Sequence, residues 1–90
     1  SGEQFLICGF LTELKNVKSK KGSYYGYIKI VDEHFNGFEI ITKSATVDSI
    51  LQRDTFKLVT GQYVKAVVTK NDGSRMFLVD EKIVALDDCI

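Results

Sequence analysis

Residues 18–33, KSKKGSYYGYIKIVDE, place Lys18, Lys20 and Lys21 around Gly22, then Tyr25, Tyr27 and Lys29 at every second position. Lysines are compact point charges suited to phosphate-like anions, and glycine lets a backbone come close to what it meets. Tyrosine rings add flat π-faces on which planar bases stack. A second basic turn, TKNDGSR at 69–75, brackets Asn71-Asp72-Gly73 with Lys70 and Arg75. Each part also has an ordinary reading: a lysine-rich turn is commonly just solvated, and strand tyrosines commonly pack half-buried. The conjunction of two basic turns with an outward Tyr-x-Tyr-x-Lys run favours a binding surface.

Nothing in the sequence assembles a reaction centre. There is no G-x-G-x-x-G, no P-loop and no G-x-S-x-G. His34, the only histidine, sits between Glu33 and Phe35 at a predicted turn and reads as a surface residue. Asp32-Glu33, Asp80-Glu81 and Asp87-Asp88 are sequence neighbours, so on a strand each pair would diverge. They read as solvated charge or as protection against edge pairing. Cys8 and Cys89 form no metal spacing, and one histidine cannot complete a zinc site with them. Cys8, inside an apolar run, reads as a small buried residue. The expectation is a protein without catalytic activity, cofactor or metal.

Ninety residues leave room for one domain, 1–90, with one core. A 44% hydrophobic, 27% charged composition is too apolar for disorder. No apolar run approaches the ~20 residues of a spanning helix. No basic segment followed by an apolar signal core leads the chain, so the expected location is cytoplasmic, off the membrane. Twelve basic residues balance twelve acidic ones, which argues against a surface basic all round. The distribution is uneven, however. Five lysines and no acid fall between Lys15 and Lys29, consistent with a basic face and an acidic back.

These side chains need strands to aim them. FLICGFLTEL (5–14) reads as a long strand bent at Gly9, and NVKSKKGS as the loop after it. In YYGYIKIV (24–31), period two puts Tyr25, Tyr27 and Lys29 on one side and Tyr24, Ile28 and Ile30 on the core side. DEHFNG reads as a hairpin turn with an Asn-Gly signal, followed by the strand FEIITK (38–43). TVDSILQRDTF (46–56) spaces Val47, Ile50 and Leu51 helically, with Thr46 as N-cap and Asp48 in the first turn. QYVKAVVTK (62–70) and SRMFLVDEKIVAL (74–86) are strands joined at NDG, the second bent near Asp80-Glu81.

Five strands with a short helix between the third and fourth is the chain order of the OB-fold, a five-stranded Greek-key barrel. The predicted fold is therefore mainly β and OB-like, with a generic small β-barrel as the alternative. In an OB barrel the groove lies over strands 2 and 3, flanked by the loops joining strands 1–2 and 4–5. Both of those loops are basic here, and Tyr25, Tyr27 and Lys29 would lie between them. That is the equipment of a single-strand binder: a cationic track and stacking platforms. A protein–protein adaptor using the same tyrosine face is the competing reading.

The layout resembles the small single-stranded DNA-binding proteins of filamentous phages, the gene V type, and relatives on mobile elements. It rests on a strand, the loop SKKGSYYGYIKIVD with Lys-Gly shortly before tyrosine, and a final hairpin ending FLVDEKIVAL, over most of residues 5–86. The resemblance implies an OB-type barrel, homodimerisation, and sequence-independent coating of single-stranded DNA (or RNA) during replication. It assigns binding to Lys20, Lys21, Gly22, Tyr25, Tyr27 and Lys29. Segment 44–58 is longer and more helical than that family's connection, and the net charge is lower.

Overall fold

The computed structural model describes residues 3–53, 61–71, 73 and 75–85. The 54–56 end of the expected helix, the Asp87-Asp88 pair and Cys89 lie outside them. The elements run β1 (Gln4–Lys18), β2 (Tyr24–Val31), β3 (Gly37–Lys43), α1 (Ser44–Leu51), β4 (Tyr63–Lys70) and β5 (Met76–Ala85). Five strands of one sheet close into a ring in the order β1-β2-β3-β5-β4, with the short helix between the third and fourth strands.

Closure depends on β1 serving two ladders. Its first half pairs antiparallel with β4 (Gln4↔Thr69 to Phe10↔Tyr63), and its second half with β2 (Phe10↔Val31 to Lys18↔Tyr24). The strand is therefore longer than 5–14, and Asn16–Lys18 belong to it rather than to the loop. Gly9 sits where the ladders meet. A Cβ there would lie 2.6 Å from the Val31 carbonyl oxygen. Three residues after Gly9 the register shifts between Leu11 and Glu13, leaving Thr12 as a bulge whose hydroxyl donates to the Lys29 carbonyl at 3.2 Å. The bulge reverses parity: Ile7, Gly9 and Leu11 face inward before it, Leu14 after it. Glu13, Lys15 and Val17 are thereby turned to the outer surface beside β2.

The core is aliphatic. Leu11, Ile28, Ile30, Ile40, Val64, Val68 and Ile83 are fully buried inside the ring, and Val47 and Ile50 of α1 close one end. At ~1.5–3 kcal/mol for each large aliphatic side chain, these residues carry the stability of the fold. Alternation in β4 is as expected, with Val64, Ala66 and Val68 inward. None of the nine described aromatic residues is buried. Tyr24, expected on the core side, is 59% exposed because β2 begins beyond the end of the ring. Cys8 is half-buried rather than buried, since inward Ile7 and Gly9 on either side turn it outward.

The helix differs from expectation at its start. It begins at Ser44 directly off β3, Lys43 holds the cap position, and no side chain caps it. Thr46 thus lies inside the first turn, and Asp48 follows that turn. Position is dictated by packing: Val47 must reach the floor of the ring beneath Gly26, where a Cβ would collide with it. Asp48 instead accepts a hydrogen bond from the Asn16 amide at 3.1 Å. At the other end Ser49 donates to Glu81 at 3.0 Å, and Arg53 donates to the Glu81 carbonyl at 2.9 Å. Glu81 is therefore a tie between helix and strand rather than simply solvated charge. Its neighbour Asp80, at φ 51°, makes the expected bend in β5.

Candidate nucleic-acid interface

Alternation carries Tyr25, Tyr27 and Lys29 to the outer face of β2, because Gly26, Ile28 and Ile30 are buried. On β3 the same rule sends Glu39, Ile41 and Lys43 outward around buried Ile40. The cross-strand pairs are Tyr25↔Lys43, Tyr27↔Ile41 and Lys29↔Glu39. Pairing of β3 with β5 is brief and parallel, Ile40↔Met76 and Ile41↔Phe77. It brings the β4–β5 turn alongside the start of β3. An open groove of about 560 Å³ results, walled by Tyr25, Tyr27, Lys29, Glu39, Gly73 and Arg75. The turn is held by the Asn71 side chain, which accepts from the Gly73 and Arg75 amides at 3.0 and 2.9 Å.

Of the nine residues singled out from sequence, Tyr25, Tyr27, Lys29 and Arg75 share this groove. Lys20 and Lys21 stand exposed at the tip of the β1–β2 loop, which is closed by Ser19 N–H to Ser23 O (2.7 Å) and Gly22 N–H to Ser19 O (3.0 Å). Gly22 takes φ 89° there, a left-handed conformation that glycine adopts readily. Lys18 ends β1 opposite Tyr24, one loop-length from the groove. Lys70 does not bracket the groove with Arg75. Its ammonium lies 5.7 Å from the centre of the Phe5 ring, on the β1–β4 seam.

Glu39 is the groove residue that the sequence reading missed, although alternation around Ile40 marks it as outward. The Tyr27 phenol donates to its carboxylate at 2.8 Å. On the opposite side Lys15 pairs with Glu13 at 2.7 Å and holds that carboxyl below its ordinary pKa. The Lys15 ammonium also lies 5.8 Å from the Tyr27 ring centre. The tyrosine face thus carries Lys15, Lys29, Lys43 and Arg75 against Glu13 and Glu39. It is only moderately cationic, not the acid-free face that the lysine run suggested.

Desolvation, then the hydrogen bond to Glu39, pushes the Tyr27 phenol up to about 12. An unfolded chain would ionise this group near 10, so its contribution to stability is complete below pH 10 and is lost as pH rises through about 12. An alkaline absorbance titration at about 295 nm should show a late tyrosine step that belongs to Tyr27. Tyr27→Phe should remove that step, and Glu39→Gln should move it down toward 10. A titration without a late step would contradict the Tyr27–Glu39 geometry.

Among the described residues no three His, Cys, Asp or Glu side chains are grouped to hold a metal ion, and no helix is long and apolar enough to cross a membrane. No protein-family model matches this chain, and no curated protein sequence matches it.

Proposed function

We propose that this chain is a non-enzymatic, sequence-independent binder of single-stranded DNA, folded as an OB-type barrel. The observation that carries the reading is the shared groove. Tyr25 and Tyr27 turn outward on one strand, in line with Lys29 and across from Arg75. Stacking is worth ~1–3 kcal/mol per base and needs no particular sequence, because every base has a π-face. Lysines on the β1–β2 loop extend the cationic track past the end of the sheet. Strand order β1-β2-β3-β5-β4 with a helix after β3 agrees with the OB arrangement, whose ligands lie over strands 2 and 3. The resemblance in layout to gene V type proteins points the same way, toward DNA replication in a phage or mobile element and a cytoplasmic homodimer.

A second copy has a surface available. On the outer side of β1, β4 and β5, Leu6, Phe10 and Val84 are 60%, 46% and 46% exposed, and Phe10 meets Tyr63 edge to face at 5.2 Å. The same face is the observation that favours the adaptor reading, in which the protein captures a protein and no strand. Fluorescence anisotropy of a labelled oligo-dT at about 50 mM salt separates the two. Saturable binding, at least tenfold tighter than to duplex of equal length, is expected. Absence of binding under those conditions, with self-association indifferent to salt, would replace the single-strand reading with the adaptor.

A further inference from the structure

The β2–β3 hairpin repeats the geometry of the β1–β2 loop with one conspicuous exchange. Asp32 N–H donates to Asn36 O and Phe35 N–H to Asp32 O, both at 3.0 Å, matching the Ser19–Ser23 and Gly22–Ser19 pair of the first loop. Position four of the first loop is Gly22, at φ 89°; position four of the second is Phe35, at φ 64°. For a bulky side chain this is a genuine backbone outlier. The next two residues, Asn36 and Gly37, would take that conformation more readily, and the Asn-Gly signal in the sequence anticipates that they do. Instead the chain spends the strained position on phenylalanine, and its side chain is 89% exposed. No core packing compensates.

The ring is presented on a fixed base. The Asp32 carboxylate accepts from the His34 amide at 2.9 Å, the Asn36 amide at 2.9 Å and the Asn36 side chain at 3.1 Å. Those bonds, the Asn36 amide foremost, hold the Asp32 carboxyl below its ordinary pKa, so it stays ionised in place at neutral pH. The hairpin is made of the two strands that floor the groove. Gly37, two residues past Phe35, lines it, and the Lys29 side chain lies across Gly37, with Cε 3.3 Å from where a Cβ would stand.

We propose that Phe35 is a contact residue for the bound single strand, its ring stacking on a base where the strand leaves the groove past Lys29 and Gly37. This rests on the single-strand reading and extends its aromatic row beyond the sheet. A base fits the site better than a protein. An interface anchor is ringed by apolar neighbours that exclude water, whereas Phe35 stands 89% exposed in a turn whose other residues are Asp32, Glu33, His34 and Asn36. A π-face is what an exposed, uncharged ring on a fixed turn offers.

The chain has no tryptophan, so Phe35→Trp makes a single indole reporter. Titrated with oligo-dT, that variant should still bind, and its fluorescence should be quenched in step with anisotropy. Phe35→Gly should melt no lower than wild type, because strain is relieved, yet bind about 5- to 150-fold more weakly with an unchanged salt slope, the loss of one stacked base. Wild-type affinity in Phe35→Gly, a lowered melting temperature, or tryptophan fluorescence indifferent to saturating strand would overturn the assignment while the single-strand reading stood. A wild-type protein that ignores the strand overturns both.

Discussion

Replacing Tyr25 and Tyr27 together by alanine should lower affinity for oligo-dT by about 30-fold to about four orders of magnitude, the loss of two stacked bases at ~1–3 kcal/mol each. The slope of affinity against salt should barely change, because tyrosines neutralise no phosphate. The stability lost should be confined to the Tyr27–Glu39 hydrogen bond and the packing of two half-buried rings. Both rings sit on the outer face over a core made entirely by aliphatic residues, so their removal opens no cavity. Tyr27→Phe is the control. It retains the ring while breaking the phenol–Glu39 hydrogen bond, and affinity close to wild type is expected. Anisotropy titrations of the three proteins check the claim. Unchanged affinity in the double alanine variant would return both tyrosines to ordinary half-buried packing.

The largest effect on folding is expected at Gly9. An alanine methyl there would lie 2.6 Å from the Val31 carbonyl oxygen and 2.8 Å from Ile30 Cγ2. The first neighbour is backbone, which cannot swing aside, and β1 at this point is tied to both β2 and β4. Overpacking of this kind costs about 1–3 kcal/mol. In a domain of this size that lowers the melting temperature by roughly 5–20 °C. Gly22→Ala isolates a different cost. Nothing lies within 4 Å of its would-be methyl, so only the left-handed backbone at φ 89° opposes it, and a smaller drop is expected. Thermal melts followed by circular dichroism measure both. A Gly9→Ala protein melting like wild type would mean that β1 and β2 do not approach as described.

Much of this architecture could be read from residue order. Period-two alternation in 24–31 and 63–70 assigned the inward and outward sets of β2 and β4 except at Tyr24, because Ile28, Ile30, Val64, Ala66 and Val68 recur at every second position. Gly9 and Asp80-Glu81 marked the two bends. What escaped had no local signal. The Thr12 bulge is one inserted residue without glycine or proline, yet it reverses parity in β1 and sends Glu13 and Lys15 to the tyrosine face. FLIC is apolar on both faces, so nothing in it could say that Cys8 turns outward. The hairpin at 32–36 ran against its own Asn-Gly signal, since the Asp32 carboxylate fixes a register that places Phe35 in the left-handed position. Helix α1 was placed three residues late because Thr46 suggested a cap, whereas the cap position falls at Lys43 and contact with the end of the ring sets the start.

Charge is where the site differs most from the lysine run that announces it. Glu39 and Glu13 temper Lys29 and Lys15, and Lys70 is engaged with Phe5. A face so balanced should rely on stacking more than a strongly basic coating protein does. Its contacts with phosphate should be few: Lys20, Lys21, Lys29 and Arg75.

The most direct measurement is a salt series on poly-dT, with poly-U and duplex DNA alongside. On single strands each neutralised phosphate contributes a slope of about −0.7 in log affinity against log salt. Three to four contacts should therefore give roughly −2 to −3 for poly-dT, flattened by about 1.4 when Lys20 and Lys21 are both replaced by alanine. Poly-U should report how far the site accepts RNA, and duplex should bind at least tenfold more weakly. A flat slope, duplex bound as tightly as poly-dT, or no binding near 50 mM salt would contradict single-strand recognition by this groove.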